Sequence, residues 1–263
     1  MLQLTLHSKL VLNTGNVIPV LGLGVWQIPQ GFKTEQAVTW ALEAGYRHFD
    51  TAKLYLNEAS MGKAIRESKI PREEIFVTTK LWTTDAFNVD IAFETSAKKI
   101  GLEYIDLYLI HWPIPLLSSH TWKKLESLLE QKLVRSIGVC NYTLTQLDEL
   151  LKDCNTPPAV NQIEFNPFNY EKELLDYCQQ KGIVVEAYSP LTRGIHLDNE
   201  NITKIAMQHK KTPAQIMLRW ALQKGVVVIP KSSNKDRIIE NADVFDFELP
   251  LDEMRRIDAV SHF

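Results

Sequence analysis

The sequence predicts an α/β fold, a (β/α)8 barrel with an N-terminal β-hairpin closing its lower end. Three observations predict it. About eight short apolar runs alternate with segments of helical period. Chemically versatile polar residues stand where most of those runs end. The chain also has the right size: at 263 residues and 45% hydrophobic it can bury one large core, and α/β barrels of about 250 residues commonly form one domain. No linker, charge block or low-complexity stretch divides it, so residues 1–263 read as a single domain. An open doubly wound sheet is the competing architecture, and the strand count favours closure.

The opening segment alternates apolar and polar residues around Asn13-Thr14-Gly15-Asn16, a turn signal that predicts the hairpin. Strands are expected at Leu21–Gly24, Arg47–Asp50, Phe76–Lys80, Leu107–His111, Ser136–Asn141, Val160–Glu164, Val184–Tyr188 and Val226–Pro230. Helices are expected over Lys33–Glu43, Asn57–Glu67, Val89–Lys99, Trp122–Gln131, Thr143–Leu151 and Lys172–Lys181, where apolar residues recur at i, i+3 and i+4; Leu144, Leu147, Leu150 and Leu151 are one case. Thr212-Pro213 reads as an N-cap followed by proline at the first helical position. Gly45, Gly101 and Gly182 stand where left-handed C-caps are wanted. Apolar strands separated by helices imply parallel pairing, buried on both faces.

Composition narrows the partners. A net charge of -3 disfavours nucleic acid and anionic membrane surfaces. Cys140, Cys154 and Cys178 form an odd set without a CxxC pair, as in a reducing compartment. The seven histidines are scattered, with no metal-ligand spacing. The start, MLQLTLHSKLVLN, lacks a long apolar core, and no stretch reaches membrane-span length. The expectation is a soluble cytoplasmic monomer that acts on a small molecule and binds neither nucleic acid nor membrane.

In a barrel the C-terminal strand ends meet on one face, and that face holds the active site. The second run ends in Asp50, the third in Lys80, the fourth in His111 and the fifth in Asn141. The sixth carries Gln162, the seventh runs into Ser189 and the eighth into Lys231. Tyr55 lies just past the second. A phenol titrates near 10, and a nearby ammonium favours its anion; lowering it by two units takes about 2.7 kcal/mol. Lys80 would be costly to bury alone, and Asp50 is its natural partner. His111 can place a ring N–H on a carbonyl oxygen. Such a set suits protonating an oxyanion as hydride reaches carbon, with the hydride coming from a cofactor. The residues alone leave open a second chemistry, a Schiff-base aldolase with Lys80 as nucleophile. Trp26, Trp82 and Trp112 would wall the substrate pocket, while Trp40, Trp122 and Trp220 fall on helical faces and read as core.

After the eighth run comes Ile229-Pro230-Lys231-Ser232-Ser233-Asn234-Lys235-Asp236-Arg237. Basic residues, small hydroxyls and a helix start make an anion cradle, where barrels often bind phosphate. No GxGxxG is present; Gly22-Leu23-Gly24-Val25-Trp26 stops short of it.

The stretches GLGVW (22–26), GYRHFDTAKLYLNE (45–58), VTTKLW (77–82), DLYLIHWP (106–113), IGVCNY (137–142), VNQIEFNP (160–167), AYSPL (187–191) and IPKSSNKDRIIEN (229–241) resemble the aldo-keto reductase family along almost the whole chain. The resemblance implies a reductase of aldehydes and ketones that uses NADP(H), with Asp50, Tyr55, Lys80 and His111 as catalytic tetrad and Tyr55 as acid. It implies that Asn141 and Gln162 hold the carboxamide, Tyr188 stacks on the nicotinamide, and Ser189 and Leu191 line the pyrophosphate. Lys231, Ser232, Ser233, Asn234 and Arg237 would take the 2′-phosphate, with Glu240 and Asn241 near the adenine. Gly24, Val25, Trp26 and Asp50 would also contact the cofactor, and Trp26, Tyr55, Trp82, His111 and Trp112 the substrate.

Three positions depart from the family pattern: Cys140 stands for a common serine, Val25 for a frequent threonine, and Lys53 for an often small or neutral residue. Lys53 is expected as a solvated loop lysine, and Cys140 as a packing residue. Short loops after Pro113 and Leu191, with a chain that stops at Phe263, predict a shallow, open pocket. A third reading is a non-catalytic, nicotinamide-sensing subunit.

Overall fold

The computed structural model describes residues 4–114 and 117–262. The first three residues of the predicted hairpin segment, two residues of the loop after Pro113, and Phe263 lie outside them.

The hairpin pairs β1 (Lys9–Val11) with β2 (Val17–Pro19) antiparallel, Leu10 opposite Ile18. Its turn is the one predicted: Leu12 N–H donates to Asn16 O at 2.8 Å, and Gly15 turns the chain at φ 82°, which glycine adopts without steric cost.

Eight parallel strands follow in one sheet whose spatial order is the chain order: β3 (Leu23–Gly24), β4 (His48–Asp50), β5 (Phe76–Leu81), β6 (Ile105–Ile110), β7 (Val134–Cys140), β8 (Val160–Glu164), β9 (Val184–Tyr188) and β10 (Val227–Val228). The two edges meet. Leu21 bridges Val228, Gly22 N–H donates to Val228 O at 2.9 Å, and Val228 N–H donates to Val20 O at 2.9 Å. This curled parallel sheet with its helices fits the (β/α)8 architecture.

Between and after the strands run α1 (Phe32–Glu43), α2 (Glu58–Glu67), α3 (Val89–Ile100), α4 (Ser118–Glu130), α5 (Leu144–Asp153), α6 (Lys172–Gln180), α7 (Glu200–His209), α8 (Pro213–Gln223), α9 (Lys235–Ala242) and α10 (Leu251–Asp258). Local chemistry sets several ends. Thr212 caps α8 in a capping box with Gln215, which satisfies two orphan donors at once. Gly101 ends α3 at φ 67°, the left-handed cap that stops a helix. Several expected boundaries shift, β3, β6 and β7 at their starts among them. Helix α4 begins at Ser118, not Trp122, because its first turn is polar and carries no apolar period. Strand β6 stops at Ile110 and β7 at Cys140, so His111 and Asn141 stand one residue past them, each still donating its N–H to the next strand, to Leu81 O at 3.1 Å and Gln162 O at 2.9 Å. Strand β10 keeps only two residues, since Pro230 has no N–H to give. Helices α7 and α10 were not among the predicted segments.

The strands' period of two sorts their side chains into two cores. One set, with Phe49, Val77, Tyr108, Ile137, Val139 and Val185, packs under the helices together with Trp122 and Trp220. The other phase carries Phe76, Leu107, Leu109, Cys140, Val160 and Val227, which pack with Leu12 and Ile18 of the hairpin. Thr14 Oγ1 lies 2.8 Å from Ser136 Oγ, and Asn13 donates to Pro158 O at 3.0 Å, so the hairpin is tied to the strands' N-terminal ends. Trp122 and Trp220 are buried as expected, and Trp40 is half-buried against the same core. Helix α2 approaches α3 closely: a Cβ on Gly62 of α2 would stand 1.9 Å from Ile100 O at the end of α3.

Candidate active site

Four of the predicted residues converge at the C-terminal end of the strands. Asp50 closes β4 and Lys80 lies in β5, one strand over, so alternation points both inward. Lys80 Nζ is fully buried and donates to both Asp50 carboxylate oxygens at 2.7 Å and to Thr51 O at 2.9 Å. Its fourth neighbour is Tyr55 Oη at 3.4 Å. Tyr55 belongs to the short 3-10 turn Lys53–Tyr55. His111 meets the Tyr55 ring edge-on, centroids 5.6 Å apart, and Trp82 stands 5.2 Å behind His111.

Charge states follow from burial and neighbours. Burial opposes the Lys80 ammonium, but the Asp50 carboxylate outweighs it and holds the group above its ordinary range. Burial pushes the Asp50 carboxyl up, against the pull of Lys80. Tyr55 corrects the expectation of a lowered phenol: burial pushes it up, Lys80 pulls it down, and burial wins. At neutral pH the phenol therefore carries its proton. Burial, then Lys80, hold His111 at about 3, so its ring is neutral and can donate one N–H. An ammonium with three short hydrogen bonds and no free lone pair is a poor amine nucleophile, which weakens the Schiff-base reading.

A cleft of about 730 Å³ opens above this group. Of the residues expected at the cofactor, Gly24, Trp26, Asp50, Asn141, Gln162, Tyr188, Ser189, Leu191, Lys231, Ser232, Ser233, Asn234, Arg237, Glu240 and Asn241 line it. Val25 does not: its side chain is wholly buried in the core, because it alternates with Gly24 and Trp26. Of the expected substrate residues, Trp26, Tyr55, His111 and the exposed Trp112 line the cleft, while Trp82 supports His111 from behind. Lys53 is not the solvated lysine expected; it pairs with Asp85 at 2.6 Å. Cys140 is buried in the strand core, and burial pushes its thiol well up, as befits a packing residue.

The amides are held from below. Asn141, left-handed at φ 61°, donates to His111 O at 3.2 Å and accepts from Tyr188 Oη at 2.9 Å. Gln162 donates to Asp50 Oδ2 at 2.9 Å and to Glu186 Oε2 at 2.6 Å. At the far end Asn234 caps α9, accepting from Arg237 N–H at 3.0 Å. Lys231 and Arg237 are exposed there and have no carboxylate partner among the described residues. Two charged residues escaped the sequence reading. Arg193 lies 5.1 Å over the Trp26 ring at the cleft; a basic residue beside Gly194, just after Ser189, was its signal. Glu186 is wholly buried beneath Gln162; an acid inside the apolar run VVEAY was its signal.

A rim of strand ends carrying a proton donor, an ammonium–carboxylate pair and a neutral imidazole, with unpaired cations at the far end of one cleft, defines a site for acid-assisted chemistry beside a large anionic ligand. The chain belongs to the aldo/keto reductase family, whose model matches residues 20–262, and it is an oxidoreductase. It is 48% identical over 260 residues to 9,11-endoperoxide prostaglandin H2 reductase of Trypanosoma cruzi (strain CL Brener), covering 97% of this chain and 92% of that one. It is 47% identical over 259 residues to glyoxal reductase of Bacillus subtilis (strain 168), covering 98% and 94%. An aldo/keto reductase crystal structure from Brucella melitensis superposes with a TM-score of 0.92 at 45% identity, covering 96% of this chain and 99% of that one.

Proposed function

We propose that this protein is an NADPH-dependent reductase of small aldehydes and ketones, with residues 1–263 working as one closed barrel stoppered by its hairpin. The carrying observation is the gathering of Tyr55, Lys80, Asp50 and His111 at one end of a cleft whose other end holds Lys231 and Arg237. The residues fit the cofactor. Asn141 and Gln162 offer amides to a carboxamide, and Tyr188 offers a ring face. The capped start of α9 with two unpaired cations suits a 2′-phosphate, since charge-assisted hydrogen bonds to phosphate are the strong ones. A bound nicotinamide supplies the hydride.

The chain's own residues do the rest. His111, neutral, donates a ring N–H to the substrate carbonyl oxygen and orients it. Tyr55 Oη gives that oxygen its proton as negative charge develops. Lys80, fixed by Asp50 and Thr51 O, then faces the phenolate left behind and stabilises it. Hydride to carbon and proton to oxygen complete the alcohol. The exposed Trp112 and Leu54 leave the pocket open, which suits small, varied carbonyl compounds; glyoxal is the first to try, given the name of the Bacillus subtilis relative, with methylglyoxal, its methyl homologue, next. The free thiols Cys140, Cys154 and Cys178 fit a reducing, cytoplasmic setting.

The test is consumption of NADPH, then NADH, with glyoxal, methylglyoxal and simple aldehydes. Tyr55→Phe should lower kcat by about two to four orders of magnitude, the usual worth of general acid catalysis, with NADPH affinity kept. An unchanged rate would remove Tyr55 from the mechanism.

A further inference from the structure

A buried carboxyl group below the tetrad has no part in the reaction just described. Glu186 lies in β9 with no exposure, in register with Gln162 of β8. Its Oε2 accepts from Gln162 Nε2 at 2.6 Å, and its Oε1 stands 3.3 Å from His48 Nε2. His48 Nε2 is also 3.3 Å from Thr78 Oγ1. The groups facing Glu186 are thus His48 and Asp50 of β4, Lys80 of β5, Cys140 of β7 and Gln162 of β8. Burial and the Asp50 charge push its carboxyl up to about 8, and burial holds His48 at about 3. Both are neutral at pH 7, and since Oε2 accepts from Gln162 the carboxyl proton falls to Oε1, which faces His48 Nε2 without forming a hydrogen bond.

Consider what this does to Gln162. A side-chain amide has two N–H donors and one oxygen. Both donors point down, one at Asp50 and one at Glu186. The oxygen has no partner among the described residues and belongs to the end that borders the cleft. With Glu186 in place the amide cannot turn over without aiming its oxygen at two carboxyl groups. Asp50 alone is a weaker constraint, because its oxygens are already shared with Lys80.

We propose that Glu186 is a positioning residue: through Gln162 it presents an acceptor, rather than a donor, to the cleft, and so selects ligands whose nicotinamide ring carries an amide N–H. The inference rests on the cofactor reading above. A neutral carboxyl and an amide share one layout here, an oxygen facing Gln162 and a donor facing His48. Glu186→Gln should therefore preserve the arrangement, and Glu186→Met, of similar length, should not.

Affinities for three probes separate the possibilities: NADP+, its acetylpyridine analogue, which keeps the ring carbonyl but lacks the N–H, and adenosine 2′,5′-bisphosphate, which reaches only the far end of the cleft. Glu186→Met should weaken NADP+ roughly 5- to 30-fold, as expected for one lost hydrogen bond plus an orphaned buried donor, and should lose the preference for NADP+ over the analogue. The bisphosphate should bind all variants alike. Glu186→Gln should restore both NADP+ affinity and preference. In a Gln162→Leu background Glu186→Met should add little, the mark of an effect transmitted through Gln162. Three results would overturn the inference: Glu186→Met with unchanged NADP+ affinity, equal losses for all three probes, or a Glu186→Gln protein with weakened NADP+. The last applies even if the Met variant fails to fold. A wild-type protein that binds neither dinucleotide would overturn the cofactor reading itself, and is told apart because no variant is then needed.

Discussion

Asp50→Asn isolates the electrostatics on which the site is built. Lys80 Nζ has no exposure, and two of its three short hydrogen bonds end on the Asp50 carboxylate at 2.7 Å. The substitution keeps size and shape but removes the negative charge. It also aims an N–H at groups that are already donors, Lys80 and Gln162. Removing one partner of a buried pair leaves an uncompensated charge, at a cost of about 3–5 kcal/mol. For a chain of this size each kcal/mol shifts Tm by about 2–4 °C, so melting should fall by roughly 6–20 °C. Differential scanning calorimetry of both proteins at one pH reads this directly. The double variant Asp50→Leu with Lys80→Met removes both charges and should recover most of the loss, since an apolar pair of similar volume is often neutral. Melting within about 2 °C of wild type, below the shift expected for even 1 kcal/mol, would refute the reasoning. A double variant less stable than Asp50→Asn would refute it equally.

Three further outcomes are expected. Lys231→Ala and Arg237→Ala should each weaken NADPH about 10- to 100-fold, the worth of one charge-assisted hydrogen bond, while NADH affinity stays level; equal losses for both would place the 2′-phosphate elsewhere. Stability should carry two opposed pH dependences. His48 and His111 titrate near 3 rather than 6.5, so the folded chain binds fewer protons and their share is lost as pH falls from 6.5 toward 3; Glu186 is raised from 4.5 to about 8, so the folded chain binds an extra proton and its share is lost as pH rises from 4.5 through 8, with Asp50 and Asp106, also raised by burial, acting in the same sense. Urea titrations at stepped pH should show both limbs, with Glu186→Gln flattening only the alkaline one. Gly62→Ala, a change that favours an ordinary helix by up to about 1 kcal/mol, should here lower Tm, because the new methyl would meet Ile100 O at 1.9 Å and overpacking costs about 1–3 kcal/mol; a raised Tm would show that α2 and α3 can part freely.

The sequence made the strands legible because parallel strands covered on both faces must be apolar throughout. That is why runs such as Val160–Glu164 and Val184–Tyr188 matched to the residue. Boundaries failed where backbone geometry decides: His111 and Asn141 still donate N–H across to Leu81 O and Gln162 O, but the strands end one residue before them, and Asn141 turns left-handed at φ 61°. Of the site, the polar strand ends were readable because barrel topology alone sends them to one rim. Val25 was misjudged since proximity in sequence says nothing of which face a side chain takes. The phenol of Tyr55 was misjudged for a deeper reason. A neighbouring ammonium can be inferred from a motif, but the loss of water around both groups depends on the finished packing, and that loss is the larger effect.

The hairpin has a consequence for traffic. With Leu12 and Ile18 corking the lower end, the cleft opens at the strands' C-terminal rim. Ligands at that rim pass Trp112 and the Arg193–Trp26 stack. Widening or narrowing that opening would change arrival and departure by the same factor, so turnover could be tuned there with affinity left as it is.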